Sequence, residues 1–422
     1  MLASLPVEAP AEPFTLARAL ADRPGLALAR AHGGVTYVAC DPSDVSTALD
    51  PEPSLPFASR PFGEIPRWFG LLPYEARRVL ERPSAPDARR PAELATPVWY
   101  RYPAVVKIAN DVEVIGTESR AREELRERLL RGLRVPRPAR PARLRLAAPP
   151  EPGAAHRARI ERALELIGAG ELYQVNLARR FELQVEGTPL EVLAALGAGR
   201  LPAQAFSVDW PELGVAMASP ELFLALDPTG RVSTRPIKGT RPRSPDAALD
   251  RARAEELDAD PKERAELAMV IDVERNDLGR LARPGSVRLA RPPAVESHAT
   301  VHHRAATIEA LLRPEVDRTS LLEAMLPSGS VTGAPKIRAM EVIAALEPER
   351  RGLYTGAAGF LRADGGLELG MVIRTVTMRE GRGSYYAGGG IVADSDPERE
   401  VEETLWKAAA LVELVGNGEN WA

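Results

Sequence analysis

Four glutamates stand in two pairs. Glu263 and Glu266 follow Asp260-Pro261, and Glu400 and Glu403 follow Asp396-Pro397. In each segment Asp suits an N-cap and Pro suits the first helical position. Asp260 and Glu263 also fit a capping box. Each pair is spaced i,i+3 and therefore lies on one helical face. Acidic residues in a first turn gain about 0.3–1 kcal/mol from the helix dipole. That accounts for Glu263 better than for Glu266 or Glu403, which lie a turn further in. If the two faces met, four carboxylates would crowd together and call for a cation. Hard oxygen ligands on two helices read as a Mg²⁺ site. Glu403 is also i,i+4 to Lys407, the spacing of an ordinary surface ion pair.

Residues 233–243 read STRPIKGTRPR, with three arginines and Lys238 among two prolines and a glycine. By composition this is a basic, proline-punctuated loop. A nucleic-acid role fits poorly, because no aromatics interleave the cations. The whole chain, with 55 Lys and Arg against 59 Asp and Glu, carries a net charge of -4, and its acidic pairs would repel phosphate. Ser330-Val331-Thr332-Gly333-Ala334-Pro335-Lys336 invites comparison with a P-loop. Lys336 follows a proline, so the Gly-Lys-Ser/Thr triplet is missing. What is left is a Gly-rich loop entering a helix, whose free N–H groups suit a carboxylate. Gly388, Gly389 and Gly390 either form a bulge or let a ligand approach the backbone. Arg374 sits in an apolar run, on the strand face of Val372 and Val376. A buried arginine needs an anion, either a substrate carboxylate or one of the glutamates. His302 and His303 face opposite sides of a strand, so only one reaches a given site.

The elements that must position these residues are legible as patterns. A helix is expected over 156–171, where Ile160, Ala163, Leu164 and Ile167 recur at helical spacing. Strands are expected at 172–183, 205–210, 214–219 and 222–227. A long amphipathic helix through SLLEAML (320–326) should lead into the glycine loop. The segments 367–378 and 384–394 read as a hairpin. Strands and helices alternate without the period of a Rossmann sheet. Residues 135–152 carry proline every few positions, which forbids regular helix. This places a Pro/Arg-rich linker between an N-terminal α+β region (1–134) and a catalytic domain (153–422) of the 422-residue chain. The N-terminal part mixes strand-like VTYVAC (35–40) and AVVKIAN (104–110) with helical runs at 14–22 and 118–133. The single cysteine, Cys40, excludes an internal disulfide. There is no signal-peptide pattern and no apolar run of membrane-spanning length. A cytoplasmic home without membrane or nucleic-acid partners is expected.

Together, YQVNLARRF, ASPELF, RPIKGTRPR, ELAMVIDVERNDLGRL, SGSVTGAPKIRAME, YTGAAGF, IRT and GGGIVADSDPEREVEETLWKA resemble the chorismate-utilising enzymes across residues 153–415. The N-terminal third is similar only through FGLLPYE and ALADRPGLAL. The resemblance implies an α+β chorismate-binding fold with two antiparallel sheets packed face to face and helices outside. It implies Glu266 and Glu403 as direct Mg²⁺ ligands, with Glu263 and Glu400 acting through water or just behind. Tyr354, Arg374, the backbone at Gly389 and Gly390, and Lys407 would hold the enolpyruvyl carboxylate of chorismate. Thr332 and His303 would line the ring side, and Glu221 would be the general acid at the C4 oxygen. Where the anthranilate and isochorismate branches read PIAGT, this chain reads PIKGT, as the aminodeoxychorismate branch does. Lys238 would then attack C2, and ammonia from a separate glutamine amidotransferase subunit would displace it from C4. Cys40 has no glycine elbow and cannot serve as that glutaminase. Neighbouring arginines would favour the neutral amine. Ser328 stands where glycine is usual, and Arg304 where leucine is common.

Overall fold

The computed structural model describes residues 4–53, 64–79, 93–135, 137–148, 151–298 and 301–408, with Leu411 and Leu414. Residues 136 and 149–150 of the expected linker lie outside this set, as does nearly all of the chain beyond 408. Two antiparallel sheets organise the described residues, one of twelve strands and one of ten. The larger runs from Ser4–Pro6 through Val112–Gly116, Ala104–Ile108, Thr36–Ala39 and Ala27–Arg30. It continues through Gln204–Asp209, Gly214–Ser219, Thr375–Arg379, Arg382–Ile391 and Gln174–Glu186 to Gly333–Ala334. The smaller runs from Ile237–Pro242 through Val301–Leu311, Arg231–Arg235, Leu222–Leu226, Leu367–Met371 and Ala357–Arg362. It ends with Pro66–Leu72, Val98–Arg101 and Asp44–Ser46. Strands from before residue 135 therefore extend both sheets. Within the proline-rich stretch, Arg143–Leu146 is itself a strand, paired with Gln174–Glu186.

The sheets pack face to face over an aromatic core. Phe206 of the larger sheet and Phe69 and Phe360 of the smaller are all buried. Their rings lie 6.4 and 6.2 Å from Phe69, and Tyr37 meets Phe360 edge-on at 5.4 Å. The outer face of the larger sheet packs on helices Pro13–Ala19, Ser119–Arg134 and Pro189–Leu196 through a second apolar cluster. The outer face of the smaller sheet packs on Pro261–Gly279 and Arg318–Met325. Gln174–Glu186 reports this layering in its burial. Its first six residues are buried on both faces, because helices Gly153–Gly168 and Lys336–Leu346 cover that end. Its last residues alternate, as a strand open on one side must.

Two of the points at which the chain passes between the sheets are adjacent. Gly214–Ser219 ends in the larger sheet, and Leu222–Leu226 begins in the smaller. In the opposite sense, Leu367–Met371 leaves the smaller sheet and Thr375–Arg379 enters the larger. The crossings are tied together: Met371 N–H donates to Glu221 O at 3.0 Å, and Ala218 N–H donates to Arg374 O at 3.1 Å. The expected hairpin therefore exists only for its second half, where Thr375–Arg379 pairs with Arg382–Ile391. The run 367–378 is mostly apolar because both of its halves are largely buried, one in each sheet. Arg374 lies outside any strand, at φ 50° in the crossing, and shares no strand face with Val372 and Val376. The helix through SLLEAML is also short, eight residues at Arg318–Met325, capped by Asp317 and ended before Pro327.

Phe69→Ala should remove the hub of the inter-sheet core and cost about 3–5 kcal/mol of stability. Chemical denaturation measures this, and an unchanged midpoint would contradict the packing described.

Candidate active site

The two acidic helices begin as their punctuation predicts. Asp260 Oδ1 accepts from Lys262 N at 2.9 Å and Glu263 N at 3.2 Å, and Pro261 opens Pro261–Gly279. Asp396 accepts from Arg399 N at 2.9 Å, and Pro397 opens Pro397–Lys407. Both helices bring glutamates to the strand Arg382–Ile391: Glu266 from the first, Glu400 and Glu403 from the second. A Cβ on Gly389 would lie 3.0 Å from Glu400 Oε2 and 3.6 Å from Glu403 Oε1. One on Gly390 would lie 3.4 Å from Glu266 Oε2 and 2.3 Å from Gln174 Nε2. Glycine lets the strand backbone form a floor between the two carboxylate pairs. On the opposite side a bulge separates Lys238 from Thr240. Gly239 supplies it with φ +75°, and a Cβ there would sit 3.1 Å from Glu263 Oε2.

Ammonium groups thread the carboxylates. Lys262 Nζ donates to Glu400 Oε1 at 2.9 Å and lies 3.8 Å from Glu266. Lys238 Nζ lies 3.7 Å from Glu266 Oε2. Lys407 Nζ lies 2.6 Å from Glu403 Oε1 and donates to Gly388 O at 2.8 Å, tying the helix to the glycine strand. Among the described residues no three His, Cys, Asp or Glu side chains close around one point. The electrostatics still register crowding. Burial, then the charges of Glu266, Glu403 and Asp260, push the Glu263 carboxyl up to about 7. Burial raises Glu403 as well, but Lys407, Lys262 and Lys238 outweigh it and hold Glu403 below its ordinary range. Glu400 is buried, and its Oε2 has no hydrogen-bond partner among the described residues. The same is true of both amide atoms of Gln174.

STRPIKGTRPR is not a loop. Arg231–Arg235 and Ile237–Pro242 are strands that both pair with Val301–Leu311, and Pro236 marks the break between them. Nor do its arginines gather around Lys238. Arg235 pairs with Glu296, Arg241 with Glu256 and Asp260, and Arg243 with Asp250. Each guanidinium is countered by a carboxylate of its own. Lys238 faces inward instead, where its Nζ donates to Ser330 O at 3.2 Å.

Ser330 also serves Glu221. Its Oγ donates to Glu221 Oε1 at 2.8 Å. Glu221 occupies one inter-sheet crossing and Arg374 the other. Burial pushes the Glu221 carboxyl up to about 7, against Ser330, Lys238, Arg235 and Arg374. Among the described residues the Arg374 guanidinium has no carboxylate within ion-pair distance. Burial lowers its pKa, against the nearby Tyr385 and Glu221. His303 is buried, with Nδ1 3.0 Å from Thr240 Oγ1, and burial, then Arg374, lower its pKa to about 3. It is therefore neutral near pH 7, and its Nε2 has no partner among the described residues. His302 faces the other way, toward Asp250 and Ser297. The Thr332 hydroxyl is already engaged, donating to Ser328 O at 2.8 Å.

Tyr354 stacks on Tyr386 at 4.9 Å between ring centroids. Behind it lies Arg351, a residue the sequence did not single out. It is fully buried, binds Glu347 through two nitrogens at 2.9 and 2.7 Å, and donates to Val331 O and Asn176 O. Glu75 accepts from Arg351 N at 3.0 Å, so the N-terminal part of the chain also braces the site. Lys262, Gln174 and Ser330 were missed as well. Only Lys262 left a local signal, its i,i+4 spacing to Glu266.

The chain matches the model of the chorismate binding enzyme family over residues 37–413 and belongs to that family. It is 43% identical over 266 residues to an anthranilate synthase component 1 of Streptomyces coelicolor, covering 62% of this chain and 51% of that one. It is equally 43% identical over 250 residues to an aminodeoxychorismate synthase component 1 of Salmonella typhimurium, covering 59% and 55%. The chain thus spans about half the length of the curated relatives it matches. The solved structure of an anthranilate synthase component I from Streptococcus pneumoniae superposes with a TM-score of 0.72 at 28% identity, covering 91% of this chain and 89% of that one. An isochorismate synthase from Escherichia coli shares the fold at 21% identity with a TM-score of 0.75, covering 99% and 94%. Among the described residues no helix is long and apolar enough to cross a membrane.

A buried carboxyl raised from 4.5 to about 7 favours folding at low pH. Its contribution is full below about 4.5 and is lost as pH rises through about 7. Glu221→Gln has no such loss. Its stability relative to the parent should therefore rise by about 1–3 kcal/mol between those limits. Denaturant titrations across the range measure this, and a pH-independent difference would contradict the burial of an ionisable Glu221.

Proposed function

We propose that this chain is the chorismate-aminating component of an aminodeoxychorismate synthase. It would convert chorismate and ammonia to 4-amino-4-deoxychorismate, the precursor of p-aminobenzoate and folate. One observation carries the reading. Lys238 and Glu221 converge on Ser330, the lysine nitrogen at its carbonyl and the carboxyl at its hydroxyl. A nucleophile and an acid thus face one small volume beside the carboxylate cluster. The unprotonated amine of Lys238 attacks C2 of chorismate, and both ring double bonds shift one place toward C4. Glu221 delivers its proton to the C4 oxygen, which leaves as water. Ammonia then attacks C4, both double bonds shift back, and the C2–N bond to Lys238 breaks with its proton restored. Chorismate and ammonia become aminodeoxychorismate and water.

Arg374, with its guanidinium free of carboxylates, and Tyr354, braced by Arg351, would orient the enolpyruvyl carboxylate against Gly389 and Gly390. Neutral His303 would offer Nε2 to the ring side, and buried Thr332 would shape that wall. The donor set suits Mg²⁺: hard oxygens on two helices, one buried Glu400 oxygen without a partner among the described residues, and Glu263 raised by burial and then by like charge. Glu266 and Glu403 would hold the ion, with Glu263 and Glu400 behind them; when bound it supplies a positive anchor for the ring carboxylate. Ammonia would come from a separate glutamine amidotransferase subunit, a reading supported by the "component 1" in the relatives' names. A second reading, anthranilate synthesis from chorismate, draws on relatives of that name at equal identity. Lys238 tells against it, because its side chain fills the space through which ammonia would reach C2.

Incubation with chorismate, Mg²⁺ and ammonium should yield 4-amino-4-deoxychorismate by chromatography and mass spectrometry; anthranilate as the main product would overturn the assignment. Lys238→Ala should lower its formation by more than about 100-fold, and near-parental turnover would exclude the covalent route. Glu266→Gln or Glu403→Gln should raise the Mg²⁺ concentration for half-maximal rate at least about ten-fold. An unaltered requirement in both would refute the ligand assignment.

A further inference from the structure

Behind Glu221 lies a second carboxyl that the proposed chemistry does not use. Glu274 is on the buried face of Pro261–Gly279, completely enclosed. Ser328 Oγ lies 2.5 Å from Glu274 Oε1 and 3.0 Å from Ser330 Oγ, which lies 2.8 Å from Glu221 Oε1. All four residues are buried. We propose that Glu274, Ser328 and Ser330 form a buried proton relay that holds and resupplies the proton of Glu221.

A proton count supports this. The chain has three hydrogen bonds, and its two serines bring only two hydroxyl protons. With both carboxyls ionised, one link has no proton. With one carboxyl protonated, every link is filled in either of two mirror arrangements. In one, Glu274 donates to Ser328, Ser328 to Ser330, and Ser330 to an ionised Glu221. In the other, all three bonds reverse and the proton resides on Glu221. Moving the Glu274 carboxyl proton and both hydroxyl protons, each across its own hydrogen bond, converts the first into the second. Glu274 Oε2 has no partner among the described residues, a costly state for an ionised oxygen sealed from water.

Both ends also favour retaining a proton. Burial, then Asp277 and Glu221, raise Glu274 to about 7, against Ser328 and Lys336. Glu221 is raised to the same region with Lys238, Arg235 and Arg374 facing it. Two carboxyls coupled in this way titrate as a pair. When Glu221 gives its proton to the departing oxygen, Glu274 replaces it through the two serines. Glu274 is left ionised, and the proton that the Lys238 nitrogen sheds on bonding to C2 enters at Glu221 and travels back along the same chain to restore it. Ser328, standing where relatives usually have glycine, supplies the middle link. Glu274 and Ser328 act through Glu221 and are positioning residues.

The relay rests on the proposed role of Glu221, and its test separates the two. The alkaline limb of the pH profile of chorismate consumption is measured for the parent, Glu274→Gln, Ser328→Gly and the double variant. A glutamine at 274 holds no transferable proton and no charge that would raise the proton affinity of Glu221. The limb should therefore move down by about one pH unit. With Ser328→Gly the link is cut, and adding Glu274→Gln should shift the limb by less than half as much. An unmoved limb in Glu274→Gln, or equal shifts on both backgrounds, would overturn the relay. If the parent consumes no chorismate, the reading of the site fails instead. The infrared band of a protonated buried carboxyl near pH 7, read without substrate, then decides the relay. Its loss in both Glu221→Gln and Glu274→Gln supports a shared proton, and its persistence in either refutes one.

Discussion

Carboxylates held close together on two helices repel one another, and much of the site's architecture answers that repulsion. Pro261–Gly279 and Pro397–Lys407 set Glu266, Glu400 and Glu403 against one glycine strand, with Glu263 opposite at Gly239. Lys262 is drawn between Glu400 and Glu266 at 2.9 and 3.8 Å. Lys407 pairs with Glu403 and fastens its helix to Gly388 O. Charge that is still uncompensated appears as proton affinity at Glu263 and as an unpartnered oxygen at Glu400. Such a cluster is costly to fold around and suited to binding a cation.

The adjacent inter-sheet crossings at Glu221 and Arg374 solve the complementary problem of placing an acid and a cation inside a dry core. A strand interior offers its polar backbone to neighbours and its side chains to one face or the other. A crossing interrupts that order. Glu221 and Arg374 sit at adjacent crossings, whose backbones hydrogen-bond to the opposite chain through Met371 and Ala218. The Glu221 side chain thereby reaches Ser330, with Arg374 near enough to act on its charge, while the crossing peptides stay satisfied. Arg351 braces the other side of this space from within, linking Glu347, Asn176 O, Val331 O and the backbone partner Glu75.

Much of this was legible in sequence because it is local. Asp-Pro caps fixed where both acidic helices begin, and i,i+3 spacing fixed which glutamates share a face. Short apolar runs such as 214–219 and 222–227 fell where strands lie. Nonlocal features were not legible. The run 367–378 reads as one strand, since burial in one sheet and burial in the next leave the same apolar pattern. The arginines of STRPIKGTRPR suggested a positive nest for Lys238, but Glu296, Glu256, Asp260 and Asp250 claim them. Ser328 was visible only as a departure from glycine. Its partners, Glu274 and Ser330, are named by the fold.

The central claim is that the amine of Lys238 forms a bond to the substrate. Incubating the chain with chorismate and Mg²⁺ without any ammonia source, followed by reduction of spectral ambiguity through intact-mass and peptide-level mass spectrometry, tests it directly. The account predicts a mass increase equal to chorismate minus water, confined to the peptide bearing Lys238 and absent from Lys238→Ala. Consumption of chorismate with no adduct at Lys238, or an adduct that survives in Lys238→Ala, would contradict it.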